Sequence, residues 1–389
     1  MKSTRYVLLT ASVVLVLAML GSGMAVRVVA EDGSYRETVQ FAEIMSTILE
    51  YYVDPVEADA LLRGAYEGML AGLDPNGAYL TPEEVAEWRQ GDDGHSAAGP
   101  GLSVLKVGRT VQVVAVESDS ATADAGVQVG DHLRRLNGQP VRDMSLLQMR
   151  RQLRGDVGTE VELELLRPGA EFEALKLSLV RETSSGRGYS VDVRQGIAVL
   201  RFEAPERIDT EALVEELDDI RSRGVSQLLL DLRNAAEAGP REVVRLAACF
   251  GAETTLHLRD AKGRVTDSIE PESGCRAWNS EIALLINGAT AGAAEAFTQW
   301  VKTDEAPVFG QSSYGLGAEP TLYELENGAG LLVSTARWET PDGKTWNEKG
   351  IDPDTVVEGE GEDYAEIQQD QLEQVLNQLE EKAREARAA

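Results

Sequence analysis

Two short, unbroken apolar runs constrain this chain most. Residues 227–232 read QLLLDL and residues 282–286 read IALLI. A strand with one face in water alternates apolar and polar residues. A run without that break buries both faces, as a parallel strand does inside a covered sheet. The second run feeds a helical pattern over Ala291–Val301. Ahead of the first run, Ile197–Phe202 reads as a strand, and Asp209–Arg223 places Leu213, Leu217 and Ile220 on one helical face. Strand, helix and strand in this order predict an α/β core with crossover helices.

The flanking segments follow other patterns. Tyr35–Tyr52 and Val56–Gly72 carry apolar residues at helical spacing: Val39, Ile44 and Ile48, then Leu61, Leu62, Tyr66 and Leu70. Thr81, with a proline next and Glu83-Glu84 behind it, signals another helix start. The polar stretch Gln90–Ala98 reads as a linker. Beyond it, Val111–Val116 and Val161–Leu166 alternate as strands. Asp119–Ala125 reads as a short helix, Asn137-Gly138 as a tight turn, and Ser145 as the cap of a helix over Ser145–Leu153. At the far end, the acidic run Glu358–Asp363 reads as a solvated linker. Residues 362–386 form a helix with Leu372, Val375, Leu376 and Leu379 on one stripe. That stripe docks on the body or, in a homo-oligomer, on another subunit; the body is the default.

The chain has 389 residues, room for two or three domains, and 43% of them are hydrophobic, enough for a sizeable core. With 37 basic and 66 acidic residues its net charge is −29. That excludes the basic face needed for nucleic acid or an anionic membrane surface. Lys2 and Arg5 precede an apolar run from Tyr6 to Leu20, and Val28-Val29-Ala30 follows. This is the pattern of a secretory signal or of an N-terminal anchor with its charged end in the cytoplasm. The body is then exported, to a bacterial periplasm or to the periplasmic face of the inner membrane. The only cysteines, Cys249 and Cys275, can pair there. Alternatively, Cys249 is buried in the helical run Val243–Phe250 and Cys275 is an unrelated loop residue. His95, His132 and His257 are scattered, so no metal site and no cofactor is expected.

Five segments, in order, carry a family resemblance. They are Leu73-Asp74-Pro75-Asn76-Gly77-Ala78-Tyr79-Leu80, Gly99-Pro100-Gly101-Leu102, Asp231-Leu232-Arg233-Asn234, Thr340-Pro341-Asp342-Gly343-Lys344 and Gly350-Ile351-Asp352-Pro353-Asp354. Together they resemble the C-terminal processing (tail-specific) serine peptidases. The resemblance implies an α+β/α/β multidomain fold: a signal or anchor (1–30), a helical N-terminal domain (31–98), a PDZ-like β module (99–183), a crotonase-like α/β peptidase core (184–357), and an acidic linker with a C-terminal helix (358–389). It agrees with the turn Gly126-Val127-Gln128-Val129-Gly130-Asp131, which is similar to the PDZ-like A-G-x-x-x-G-D.

The departures fall on the chemistry. Where the family has N-x-x-S-A-S-A-S-E, with the middle serine as nucleophile, this chain has Asn287-Gly288-Ala289-Thr290-Ala291-Gly292-Ala293-Ala294-Glu295. Where it has T-F-G-K-G-x-x-Q, with lysine as base and glutamine orienting it, this chain has Ser313-Tyr314-Gly315-Leu316-Gly317-Ala318-Glu319-Pro320. The nucleophile, base and orienting positions are thus Gly292, Leu316 and Pro320. The family's N-P-G-G, whose glycine amides help build the oxyanion hole, is replaced by Ala235-Ala236-Glu237-Ala238, which brings a carboxylate to where an oxyanion would form. Ser–Lys chemistry needs a hydroxyl and a desolvated amine. Substitutes within reach are Thr290, Ser312 and Ser313, with Lys302, Lys344 and Lys349 as amines. Thr290 reads first as structural, and Glu295 as a cap at the helix start.

The resemblance implies more for the PDZ-like module. Gly101, Leu102 and Ser103 would offer amides to a peptide's terminal carboxylate. The peptide would lie as an added strand between Leu102–Leu105 and the helix Ser145–Leu153, with Leu146, Leu147 and Met149 as apolar wall or as core. The expected partners are polypeptide C-termini or an active peptidase paralogue. A non-cutting homologue and an endopeptidase with rearranged residues both remain open.

Overall fold

The computed structural model describes residues 33–388 apart from 90–97, 108–109, 118, 169–173, 184–185, 237–238, 272–274, 279 and 303–305. The signal or anchor segment, most of the linker, His95, and Glu237 with Ala238 lie outside the described residues. At the N-terminal end of the described chain, Gly33–Tyr51 and Ala58–Ala71 are helices, as their periodicity predicts. No helix among the described residues is long and apolar enough to cross a membrane.

The core is a six-stranded sheet. Its order is Thr355–Val356, Val308–Gly310, Glu281–Ile286, Gln227–Asp231, Ile197–Phe202 and Tyr189–Arg194, and only the last pair is antiparallel. The apolar runs occupy the centre because both faces are covered. Ala198, Leu200, Leu228, Leu230, Leu284 and Ile286 face the helices Thr210–Ser222, Pro240–Cys249 and Ala293–Val301. The intervening Ile197, Val199, Leu229, Ala283 and Leu285 meet Leu372, Val375, Leu376 and Leu379 of the helix Tyr364–Ala388. The C-terminal stripe thus packs on the chain's own sheet, and a homo-oligomer through that stripe would have to strip it from this core.

A buried ion pair reinforces the joint. Arg233 and Asp231 are 2% and 1% exposed in their side chains and lie 2.7 Å apart. Burial opposes the charge on Asp231, but Arg233 outweighs it and holds the carboxyl below its ordinary range. Arg233 also donates to the Gln368 carbonyl at 2.6 Å, in the C-terminal helix.

Residues 98–183 form an antiparallel sheet in the order Leu102–Val107, Thr110–Val116, His132–Leu136, Glu160–Leu166 and Ala174–Val180. Asn137 and Gly138 turn at φ 50° and 75°, as the tight Asn-Gly connection requires. Ser145 caps the helix Leu146–Leu153 with a reciprocal bond to Gln148. A further antiparallel sheet joins Ala78–Leu80, Gly330–Glu339, Leu256–Asp260 and Val265–Ile269, with Ala318–Glu324 also on Gly330–Glu339. Cys249 and Cys275 are disulfide-bonded, which resolves the two alternatives in favour of pairing.

Truncating Leu376, 1% exposed at the centre of the C-terminal stripe, tests this packing. Leu376→Ala is expected to lower stability by about 2–5 kcal/mol in guanidinium unfolding, whereas a helix merely lying on the surface would lose a few tenths.

Candidate functional site

The strand Glu281–Ile286 ends in a buried turn that opens the helix Ala293–Val301. Gly292 is the N-cap of that helix at φ 57° and ψ −114°. Such a left-handed backbone at a strand-to-helix turn is where a nucleophile is presented in hydrolases. Glycine adopts it without the strain a side chain would bring, and here it presents nothing. Leu316, at the base position, packs against the apolar cluster of the PDZ-like module together with Ala236, Ala289, Ala291 and Tyr314. Pro320 sits at a register shift in the strand Ala318–Glu324, a position that suits a residue without an N–H.

Glu295 binds these pieces together. It is 0% exposed. One carboxylate oxygen accepts from the Gly315 amide at 2.6 Å and from the Ser313 hydroxyl at 2.5 Å. The other accepts from the Gly292 amide at 3.0 Å and the Leu316 amide at 2.7 Å. Burial pushes its pKa up to about 7, against these four donors. The cap expected from the sequence is present, and it also ties the segment 313–316 to the helix start.

The substitute hydroxyls are engaged. Thr290 is 0% exposed; its hydroxyl donates to the Leu232 carbonyl at 2.9 Å and accepts from the Asn287 amide at 3.0 Å. Ser313 donates to Glu295 and accepts from the Ile351 amide at 2.7 Å. Ser312 is exposed and donates to Asp352 at 2.7 Å. Lys302 pairs with Asp354 at 3.0 Å and Lys344 with Asp342 at 2.8 Å. A serine does meet a histidine elsewhere: the Ser268 hydroxyl lies 2.9 Å from His257 Nδ1. Ser268 is exposed on the strand Val265–Ile269, outside the cavity described below. Where the resemblance puts the oxyanion hole, Ala235 and Ala236 are buried. The Ala235 carbonyl accepts from the Ala291 amide at 2.9 Å, and the Ala236 carbonyl from Arg150 Nη2 at 3.2 Å.

A cavity of about 610 Å³ lies between the PDZ-like module and the Asp231–Asn234 turn. Gly101, Leu102 and Ser103 line it. Gly101 has φ 87°, and a Cβ there would come within 2.2 Å of the Ser120 Cβ, so only glycine lets this loop close. Leu146 and Met149, expected as groove wall, are 1% and 0% exposed and belong to the module's core. Leu147 is half-buried against Leu80, Val85 and Leu332. The helix presents Arg150, Leu153 and Arg154 to the cavity instead. Helical periodicity marks an apolar face but does not say whether it meets core or ligand. Among the described residues, no group of three or more His, Cys, Asp or Glu side chains could hold a metal ion.

An antiparallel PDZ-like module set against an α/β core, around a strand-to-helix turn of this shape, defines a peptidase fold. Residues 196–357 match the model of peptidase family S41, and residues 112–167 match that of a PDZ domain. The chain thus carries an S41 peptidase domain and a PDZ domain. It is 28% identical over 335 residues to the "Carboxy-terminal-processing protease" of Bartonella bacilliformis, covering 84% of this chain and 76% of the relative. It is 27% identical over 311 residues to a "Probable CtpA-like serine protease" of Staphylococcus aureus, covering 79% of this chain but only 62% of that relative's length. The fold is shared with the photosystem II D1 C-terminal processing protease, at TM-score 0.61 and 24% identity over 85% of this chain and 96% of that one.

Glu295→Gln exchanges two acceptor oxygens for one, so at least one backbone amide loses its acceptor. The expected loss is about 1–3 kcal/mol. The wild-type carboxyl holds its proton more tightly folded than unfolded, since burial raises it from 4.5 to about 7. Its contribution is therefore full below the unfolded value and is lost as pH rises through the folded one. The stability gap between wild type and Glu295→Gln should shrink between about pH 5 and about pH 8 in guanidinium unfolding.

Proposed function

We propose that this chain is an exported pseudopeptidase that binds polypeptide C-termini through its PDZ domain, or partners an active peptidase, without cutting. One observation carries the reading: Gly292 holds a nucleophile's backbone with no nucleophile, and each nearby hydroxyl gives its proton to a carbonyl or carboxylate rather than to an amine. Losing a nucleophile from such a unit lowers the rate on the order of 10⁶-fold. Here the base and orienting positions are Leu316 and Pro320 as well. The capture half of the reading rests on the PDZ match and on the cavity at Gly101–Ser103. Export rests on the apolar run Tyr6–Leu20 behind Lys2 and Arg5, and the Cys249–Cys275 bond suits an oxidising compartment.

The competing reading is an active serine endopeptidase with rearranged residues, which family membership favours by analogy. The fragment from Glu31 onward, incubated with a polypeptide bearing an unstructured apolar C-terminus, separates the two. Binding with the polypeptide's mass unchanged is the expected result. Cleavage that survives extensive purification and disappears in Thr290→Ala or Ser312→Ala would overturn the proposal. Gly292→Ser alone is expected to restore no hydrolysis and to lower stability by about 1–3 kcal/mol, because a side chain at that φ is strained.

A further inference from the structure

We infer that the helix Gly33–Tyr51 lies on a zwitterionic lipid surface, that of the membrane the chain is exported across, with one apolar stripe sunk between the headgroups. The inference rests on the export reading above and adds a binding surface to it: the body stays at the membrane even after a signal is cut away.

Phe41, Ile44, Met45, Ile48, Leu49 and Tyr52 recur at i, i+3, i+4, i+7, i+8 and i+11. At about 100° per residue they form one stripe, about 140° wide. Tyr52 follows the last helical residue, yet its amide still donates to the Ile48 carbonyl at 3.0 Å, so the final turn reaches it. Glu37 closes the stripe at its N-terminal end. Arg36, Gln40, Glu43, Thr47 and Glu50 make a polar stripe on another side. No residue from 36 to 66 is buried. Ile44 is 52% exposed; Phe41, Leu49 and Tyr52 are exposed with it, and Met45 and Ile48 are half-buried. A helix this short is marginal in water unless its apolar face is covered. The stripe therefore calls for an occupant.

Shape and charge choose lipid over a second copy of the chain. The stripe is wider than the a/d seam of a coiled coil, and from Phe41 to Tyr52 it is shorter than two heptads, where such pairing takes about three or four. A net charge of −29 makes two copies repel each other, and it turns away anionic lipid as well. A zwitterionic surface meets neither objection. The sequence upstream brings that surface within reach. The apolar run from Tyr6, followed as far as Val26, is separated from Gly33 only by residues 27–32. Such a linker spans at most about 20 Å, so a retained run holds the helix within that distance of the headgroups. Tyr51 and Tyr52 are exposed at the end of the stripe, and their amphipathic rings suit a headgroup boundary. Arg36, Glu37, Glu43 and Glu50 make the helix too charged to cross, so it lies on the surface instead. With the run cleaved, the stripe alone gives reversible attachment.

The test uses the fragment from Glu31 onward and phosphatidylcholine vesicles, read by co-sedimentation. Reversible binding is expected, unchanged in about 0.5 M salt and weaker as phosphatidylglycerol is mixed in. The double variant Ile44→Gln, Leu49→Gln removes two exposed stripe residues while keeping good helix formers. It should lower partitioning about tenfold. Val39→Gln replaces an apolar residue exposed off the stripe and should leave partitioning within about twofold. Thermal unfolding confirms that both variants are folded. No sedimentation with any vesicle, or equal losses in the two variants, would overturn the inference. Binding that needs anionic lipid or fails in salt would overturn it too. So would a dimer of the free fragment in light scattering that the double variant dissociates, since the stripe would then cover a second copy. None of these readouts depends on export. A full chain that stays in the cytosol of the expressing bacterium would overturn the export reading, and with it the membrane as the natural surface, while vesicle binding by the fragment persisted.

Discussion

A buried carboxylate must be given donors or expelled, and Glu295 is given four. One belongs to the strand-to-helix turn, at Gly292, and three to the segment 313–316 that follows in sequence. Satisfying that one side chain fixes the turn at Gly292, the path of residues 313–316, and hence where Tyr314 and Leu316 lie beneath the PDZ domain. The frame of a peptidase site therefore has a reason to persist that owes nothing to peptidase chemistry. The carboxylate's demand does not depend on which side chains stand at positions 292, 316 and 320, and neither does the geometry.

Features fixed by neighbouring residues could be read from the sequence. The uninterrupted QLLLDL and IALLI runs became central parallel strands because burial on both faces removes the need for alternation. Asn137-Gly138 and the Ser145 cap are local chemistry, and they formed as expected. The glycine at the N-cap of Ala293–Val301 was legible because it is an identity rather than a contact. Other features depend on residues distant in the chain. The sheet joining Ala78–Leu80 to Gly330–Glu339 pairs segments some 250 residues apart by its own register, and nothing local announces it. Thr290 donates to a carbonyl 58 residues away, so its engagement could be suspected but not located. Leu146 and Met149 share a helical face with residues that do line the cavity, and only packing separates core from groove. The Cys249–Cys275 bond joins a helix end to a loop whose path the sequence leaves open.

Charge is arranged with the same economy. The acidic excess sits on the surface, while the buried ionic groups are few and closely answered. Asp231 has Arg233, and Arg233 in turn holds the C-terminal helix through the Gln368 carbonyl. That helix covers the centre of one face of the six-stranded sheet, so the last segment of the chain completes the core rather than decorating it.

The apolar cluster shared by the PDZ domain and the core has a consequence for how the protein is made. Residues 98–183 leave the ribosome, and in an exported protein cross the membrane, well before Ala289, Ala291 and Leu316 follow. Until then the underside of the PDZ sheet has no cover. The domain can close its own strands early, but its sticky face waits for the final third of the chain. A pause in that interval would leave the module folded and exposed, a natural client for a chaperone.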